Sequence, residues 1–279
     1  MENLKVGAVV YDPRVTIIWE MIENYYKESG FPIKAVYFKD YKLQVDALEK
    51  HEIDVAWNSP LAHLDAHQRF EGKEKISCMR DSDQDLNTYL VVRKDSNFKN
   101  INDLKGKTIG FGAIDSPQAR LIPIYFLHTQ GLEYQKDYIE KQFNIGVGLH
   151  GDHIGGEKDS MLAMVGKAIN ATFCLSSNYN AWIKDGTIDE NTVEILGKTE
   201  KFDHCIFTFH SNVNDDLISE FTEIMLKMDY NNQEHKKIMD LEGLKKWMEG
   251  RTSGYNQIIN ANKYLNNFIE GYNSGKITI

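Results

Sequence analysis

Short apolar runs alternate along this chain with longer stretches in which apolar residues recur every three or four positions. A chain that alternates strands and helices, an α/β protein, reads this way. Residues 4–10 read as a buried strand, and 16–29 (TIIWEMIENYYKES) has helical spacing and stops at Gly30. Residues 33–38 read as a second strand, 41–50 as a second helix and 53–57 as a third strand. Asn58-Ser59-Pro60 follows, and a serine before proline makes a helix N-terminus. Three strand-to-helix junctions thus fall at Tyr11-Asp12-Pro13, Lys39-Asp40-Tyr41 and Asn58-Ser59-Pro60. In open α/β sheets ligands sit at the carboxyl ends of strands, so these junctions are the first candidates for a site.

The same grammar starts again further on. Residues 89–93 (YLVVR) are extended, 102–107 make a short helix and turn, and 108–111 form a strand. Residues 112–116 end that strand, 117–130 (PQARLIPIYFLHTQ) are helical up to Gly131, 159–167 are helical and 171–175 are a strand. A second β-rich run at 205–209 is followed by helical patterns over 215–227, 233–242 and 255–268. The two extended runs, near 90 and near 207, bracket the second half. They predict two α/β lobes, lobe 1 discontinuous (1–90 plus 206–279) and lobe 2 inserted (91–205).

Two domains suit 279 residues, and 42% hydrophobic with 26% charged residues is ordinary for a globular protein. With 32 Lys and Arg against 41 Asp and Glu the net charge is −9, and no basic run appears; nucleic acid is therefore excluded as an expected partner. Cys78, Cys174 and Cys205 are far apart and form no CxxC pair, so they read as small buried hydrophobes. No apolar run approaches the eighteen residues of a membrane span, so no membrane insertion is expected. The N-terminal MENLKVGAVVYDPR enters a strand with no signal-like segment before it. The expected location is extracytoplasmic if a signal has been removed, and cytoplasmic if the chain is complete as given.

Four strings together, DVAWNSPL at 54–61, YLVVRKD at 89–95, LKGKTIGF at 104–111 and SPQARLIP at 116–123, resemble the solute-binding proteins of phosphate, phosphonate and phosphite ABC transporters. These belong to the type II periplasmic binding proteins, and the likeness spans about residues 4–210. The resemblance implies two α/β lobes, each a mixed sheet flanked by helices, joined by two β hinge segments, with a small oxyanion held in the interlobe cleft. It implies an ABC permease as partner and no cofactor. Carried over to this sequence, the hydroxyl-rich turn that holds the oxyanion becomes Ser116-Pro117-Gln118, the cleft tyrosines become Tyr41 and Tyr89, and the turn after the third strand becomes Asn58-Ser59. Two departures stand out. Ser, Pro and Gln replace the usual two hydroxyls and a small residue, and GLHGDHIGGE at 148–157 replaces a short Ser-His-Asp turn.

The residues carry their own argument. Ser116 before Pro117 at a helix start offers a hydroxyl and the amides of the first turn, including that of Gln118, to an anion; an ordinary helix cap is the other reading. Arg120 in the same turn is suited to bidentate pairing with an anion, or to simple exposure. His150, Asp152, His153 and Glu157, among glycines, read as a polar ligand-binding loop contributing His150 or His153; a metal site built from all four is a weaker reading, since the spacing is not that of HExxH, and an exposed turn is a third. Tyr11, Asp12, Tyr41, Trp57, Asn58 and Tyr89 give aromatic walls with polar tips, or else packing between strand and helix. Ser176 begins another candidate ligand turn or a generic helix cap. The acidity favours a ligand with a cationic or hydrogen-donating part, such as an aminophosphonate or another zwitterion, over bare phosphate; the ligand class expected overall is phosphonate, phosphate-like or zwitterionic. With no Walker, G-x-S-x-G or H-E-x-x-H motif, a binding protein is expected rather than an enzyme. A cytosolic enzyme or ligand sensor on the same fold, using the loop up to Glu157, is the alternative.

Overall fold

The computed structural model describes residues 3–151 and 155–277, and it divides the chain into two compact units. Unit 1 comprises the chain up to Gln84 together with Asp203–Tyr255, and unit 2 comprises Asp85–Phe202 together with the chain from Asn256 on.

Unit 1 is built on β1 (Leu4–Val9), β2 (Ile33–Phe38) and β3 (Val55–Asn58), with α1 (Arg14–Glu28), α2 (Tyr41–Glu49) and α3 (Pro60–Arg69) between and after them. The short strands β4 (Lys75–Ile76) and β5 (Cys78–Arg80) follow. β1 runs parallel to both β2 and β3, which is why it is apolar and buried from Val6 to Val9. Capping fixes where the helices begin: Asp40 accepts from the Leu43 amide at 2.8 Å, and Ser59, before Pro60, accepts from the Ala62 amide at 3.2 Å.

The chain then enters unit 2 through β6 (Thr88–Arg93), β7 (Thr108–Phe111), α4 (Ile122–Thr129), β8 (Ile139–Gln142), α5 (Glu157–Val165), β9 (Ala171–Leu175), α6 (Ser176–Lys184) and β10 (Val193–Lys198). It returns to unit 1 through β11 (Ile206–Phe209), α7 (Asp215–Leu226), α8 (Gln233–Glu242) and β12 (Trp247–Glu249), and ends with α9 (Asn256–Tyr264) and α10 (Phe268–Asn273).

The strand orders are β2-β1-β3-β11-β4 and β10-β6-β9-β7-β8, with β12 paired to β5. The two large sheets share one plan. Three parallel strands, β2-β1-β3 or β8-β7-β9, are followed by one antiparallel strand, which is β11 in unit 1 and β6 in unit 2.

Alternation along β6 divides the core of unit 2. Leu90 and Val92 face a cluster containing Phe111, Phe126 and Phe173, while Val91 faces Met161, Met164 and Trp182 on the other side. In unit 1, Tyr26 stacks on Phe221 at 5.0 Å and donates its hydroxyl proton to the Phe221 carbonyl.

The C-terminal segment differs from expectation. Residues 256–277 pack on unit 2, not on the lobe that contains β1. Tyr264 and Leu265 join the unit 2 core, the Tyr264 ring stacks on His128 at 4.1 Å, and its hydroxyl donates to Glu133 at 2.9 Å. An amphipathic pattern shows that a helix covers a core but not which one. Phe268, 3% exposed, lies in this segment with the Arg120 guanidinium 6.0 Å from its ring. Phe268→Ala should destabilise the protein by about 3–5 kcal/mol, read as a lower denaturation midpoint in urea with an unchanged slope.

Candidate functional site

Each unit presents strand ends at which helices begin. In unit 1, the Asp12 carboxylate accepts from the Arg14 amide (2.8 Å) and from its guanidinium (2.9 Å). Tyr11 is half-buried against the unit 1 core, and Tyr41 is 2% exposed at the start of α2. Trp57 packs against Phe207 at 4.6 Å and Trp247 at 5.8 Å, under the Arg80 guanidinium, so its ring belongs to the packing reading. Asn58 is fully buried. Its carbonyl oxygen accepts from the Gln44 amide at 2.9 Å, while its own Nδ2 has no hydrogen-bond partner. A buried donor left unpaired is costly, so Asn58 and the Ser59 cap remain the unit 1 candidates.

Unit 2 gathers more. Ser116 is fully buried at the end of the segment after β7, and its Oγ accepts from the Ala119 amide at 3.1 Å. Residues Pro117–Leu121 form a π-helical turn that leads into α4, a widened geometry frequent at functional sites. The amides of Arg120 and Leu121 both donate to the Ser116 carbonyl, at 3.2 and 3.0 Å. The Gln118 amide donates to the Gly151 carbonyl at 2.8 Å, pinning the glycine-rich loop to this turn. The approach requires glycine: Gly151 has φ +69°, and a Cβ there would lie 2.2 Å from Ser116 Oγ.

Glu157 is the residue whose weight the sequence did not convey. It opens α5, is 1% exposed, and accepts from the Leu175 amide at 2.8 Å and the Asn178 side chain at 2.9 Å. Its Oε1 has no hydrogen-bond partner. Burial pushes its carboxyl up to about 7, against the hydrogen bonds from Leu175 and Asn178 that favour the ionised form. Asp115, adjacent to Ser116 and fully buried, accepts from the Gly148 amide at 2.6 Å and the Tyr272 hydroxyl at 3.0 Å. Tyr272 of α10 thereby ties the C-terminal segment to the same loop, an arrangement with no sequence signal at all.

Other expected residues are placed differently. Arg120 is 3% exposed and committed inward: Nε and Nη2 bond Glu140 at 2.6 and 3.2 Å, Nη1 the Ile114 carbonyl at 3.1 Å and Nη2 the Tyr134 hydroxyl at 2.8 Å. A guanidinium so engaged is a strut of unit 2, which corrects its reading as an anion clamp or an exposed side chain. His150 is buried, with φ +51° and its ring 6.4 Å from that of Tyr272. Tyr89 packs edge-on against Tyr179 at 5.6 Å, and the Ser176 amide donates to the Asn87 carbonyl. Asp152 and His153 lie outside the described residues. Among the described residues, His150 and Glu157 do not join a three-donor metal cluster.

Residues 11–255 match the model of a family described as the periplasmic substrate-binding protein of phosphonate ABC transporters. The chain belongs to this family. A probable phosphite-binding protein of an ABC transporter, PhnD1 of Prochlorococcus marinus, is 24% identical over 94% of this chain and 90% of its own. The structure of that PhnD1 with methylphosphonate superposes with a TM-score of 0.71 at 18% identity, covering 95% of this chain and 99% of that one. XAC2383 of Xanthomonas citri bound to ATP reaches 0.72 at 11% identity, covering 97% and 98%. The fold is that of the type II periplasmic binding proteins, and the phosphonate-binding family works outside the cytoplasm. No helix among the described residues is long and apolar enough to cross a membrane.

The raised Glu157 carboxyl has a testable consequence. Its folded-state value lies above that of the unfolded chain, so between roughly 4.5 and 7 the folded state binds more protons and stability falls as pH rises. Glu157→Gln keeps both hydrogen bonds and removes the charge. At pH 8 it should be more stable than the parent by on the order of 3 kcal/mol, with the fall between pH 5 and 8 flattened in denaturation curves. A variant less stable than the parent at pH 8 contradicts the assignment.

Proposed function

We propose that this chain captures a small phosphonate-like oxyanion at the Ser116 turn of unit 2 and delivers it to an ABC permease from an extracytoplasmic position. The observation that carries the reading is one constellation: a buried serine hydroxyl and π-turn at the start of α4, and beside it a buried glutamate with an unpartnered oxygen. Helix N-terminal amides and hydroxyls bind anions without a cation, which suits a protein of net charge −9. Gln118 supplies a side-chain amide where the family has a hydroxyl or small residue. On this reading, Glu157 faces the non-anionic end of the ligand. When ionised it accepts from an ammonium or amide group, so a zwitterionic aminoalkylphosphonate is favoured over inorganic phosphate. Asn58 and Ser59 of unit 1, with Tyr11, Asp12, Tyr41, Tyr89, His150 and Ser176, complete the set of proposed ligand-facing residues.

Thermal-shift and calorimetric titration with methylphosphonate, phosphite, phosphate and an aminoalkylphosphonate tests this. A binder at a hundred times its Kd should stabilise the protein by about 2.7 kcal/mol. Ser116→Ala removes a hydrogen bond to a charged group, about 1.5–3 kcal/mol, and should weaken binding about tenfold to a hundredfold. Glu157→Gln should narrow the preference for the aminoalkylphosphonate over methylphosphonate. If none of the four compounds shifts the melting temperature, or Ser116→Ala leaves every affinity intact, the site is misplaced.

A further inference from the structure

A second cluster of chemically capable side chains lies in unit 1, where the chain leaves for unit 2 and where it comes back. Asp83 ends the short turn after β5, one residue before the unit boundary at Gln84; His204 and Cys205 follow the return at Asp203 and lead into β11. All three are buried, at 2%, 8% and 3% exposure. His204 Nδ1 is 3.1 Å from Cys205 Sγ and 3.7 Å from an Asp83 carboxylate oxygen, and one donor atom from each residue lies within 4.8 Å of the others. Donor atoms around a tetrahedral zinc ion, bound at about 2.0–2.3 Å, stand roughly 3.3–3.6 Å apart. The three therefore need to move by only about an ångström or less to share one ion.

The surrounding charges leave room for a cation. Asp83 is held by Arg80 through both oxygens at 2.6 and 3.0 Å, and Arg80 also reaches Glu242 at 3.3 Å. Asp203 is held by Arg251 at 2.6 and 2.7 Å. Three carboxylates thus face two guanidinium groups, and burial pushes the Glu242 carboxyl upward. A divalent ion that displaces the Cys205 thiol proton adds one net positive charge, which balances the excess carboxylate. The backbone is already tied across this point: the His204 amide donates to the Asp83 carbonyl at 2.7 Å, and the Tyr255 hydroxyl donates to the His204 carbonyl at 2.5 Å.

We propose that Asp83, His204 and Cys205 form a binding site for zinc or a metal of similar softness, which staples the outgoing and returning segments of unit 1 together. Carboxylate, imidazole and thiolate form a ligand set suited to zinc, with the fourth tetrahedral position left to water. The staple is independent of the oxyanion reading and uses none of its residues.

Titration of the full chain, freed of metal with a chelator, with Co(II) and competition by Zn(II) tests it. The expected result is one Co(II) per chain with a thiolate-to-cobalt charge-transfer band, displaced by Zn(II), and a higher melting temperature with Zn(II). Cys205→Ser should abolish the band and weaken affinity at least about tenfold, while Cys174→Ala keeps both. His204→Gln should weaken affinity similarly and serves if the serine variant fails to fold. Asp83 is left unchanged because its removal strands Arg80. Cobalt bound without a thiolate band, the absence of a Zn(II)-dependent thermal shift, or Cys205→Ser binding as tightly as the parent would each overturn the proposal.

Discussion

The proposed binding end of unit 2 is organised around a buried carboxylate, that of Glu157 at the start of α5. Glu157, which opens α5, draws its hydrogen bonds from the Leu175 backbone amide of β9 and the Asn178 side chain of α6. One buried acid therefore fixes the mutual position of three elements. Burial is why its proton is held up to about 7. The Gln118 side-chain amide donates to the Gly151 carbonyl, and Gly151 sits against the Ser116 hydroxyl where no Cβ fits. Asp115 and Tyr272 anchor the other end of the same loop.

Arg120 and Ser116, four residues apart, divide scaffolding from the proposed anion binding. The guanidinium, an obvious anion partner in sequence, is consumed by Glu140, Tyr134 and a carbonyl. On the proposed reading the acidic chain meets its ligand with neutral donors, led by the Ser116 hydroxyl. Such donors discriminate by geometry more than by charge, consistent with a small oxyanion of defined shape.

Periodicity made the strands and large helices legible, and β2, β7, β9 and α8 have the expected bounds. Short edge strands such as β4, β8 and β12 escaped because two to four residues carry no period. The attachment of α9 and α10 to unit 2 escaped because Tyr264, His128 and Glu133 meet across more than 130 positions. Ser116 was legible from its place before Pro117, whereas Arg120 was misread because only its distant partner Glu140 explains it. Glu157 appeared in sequence as one polar residue of a loop; its burial follows from β9 and α6 closing over it. The cluster of Asp83, His204 and Cys205 likewise joins residues some 120 positions apart.

A crystal structure of the protein with methylphosphonate tests the central claim most directly. The account predicts a phosphonate oxygen within hydrogen-bonding distance of Ser116 Oγ, with Arg120 still paired to Glu140. A phosphonate bound elsewhere, with Ser116 untouched, would contradict it.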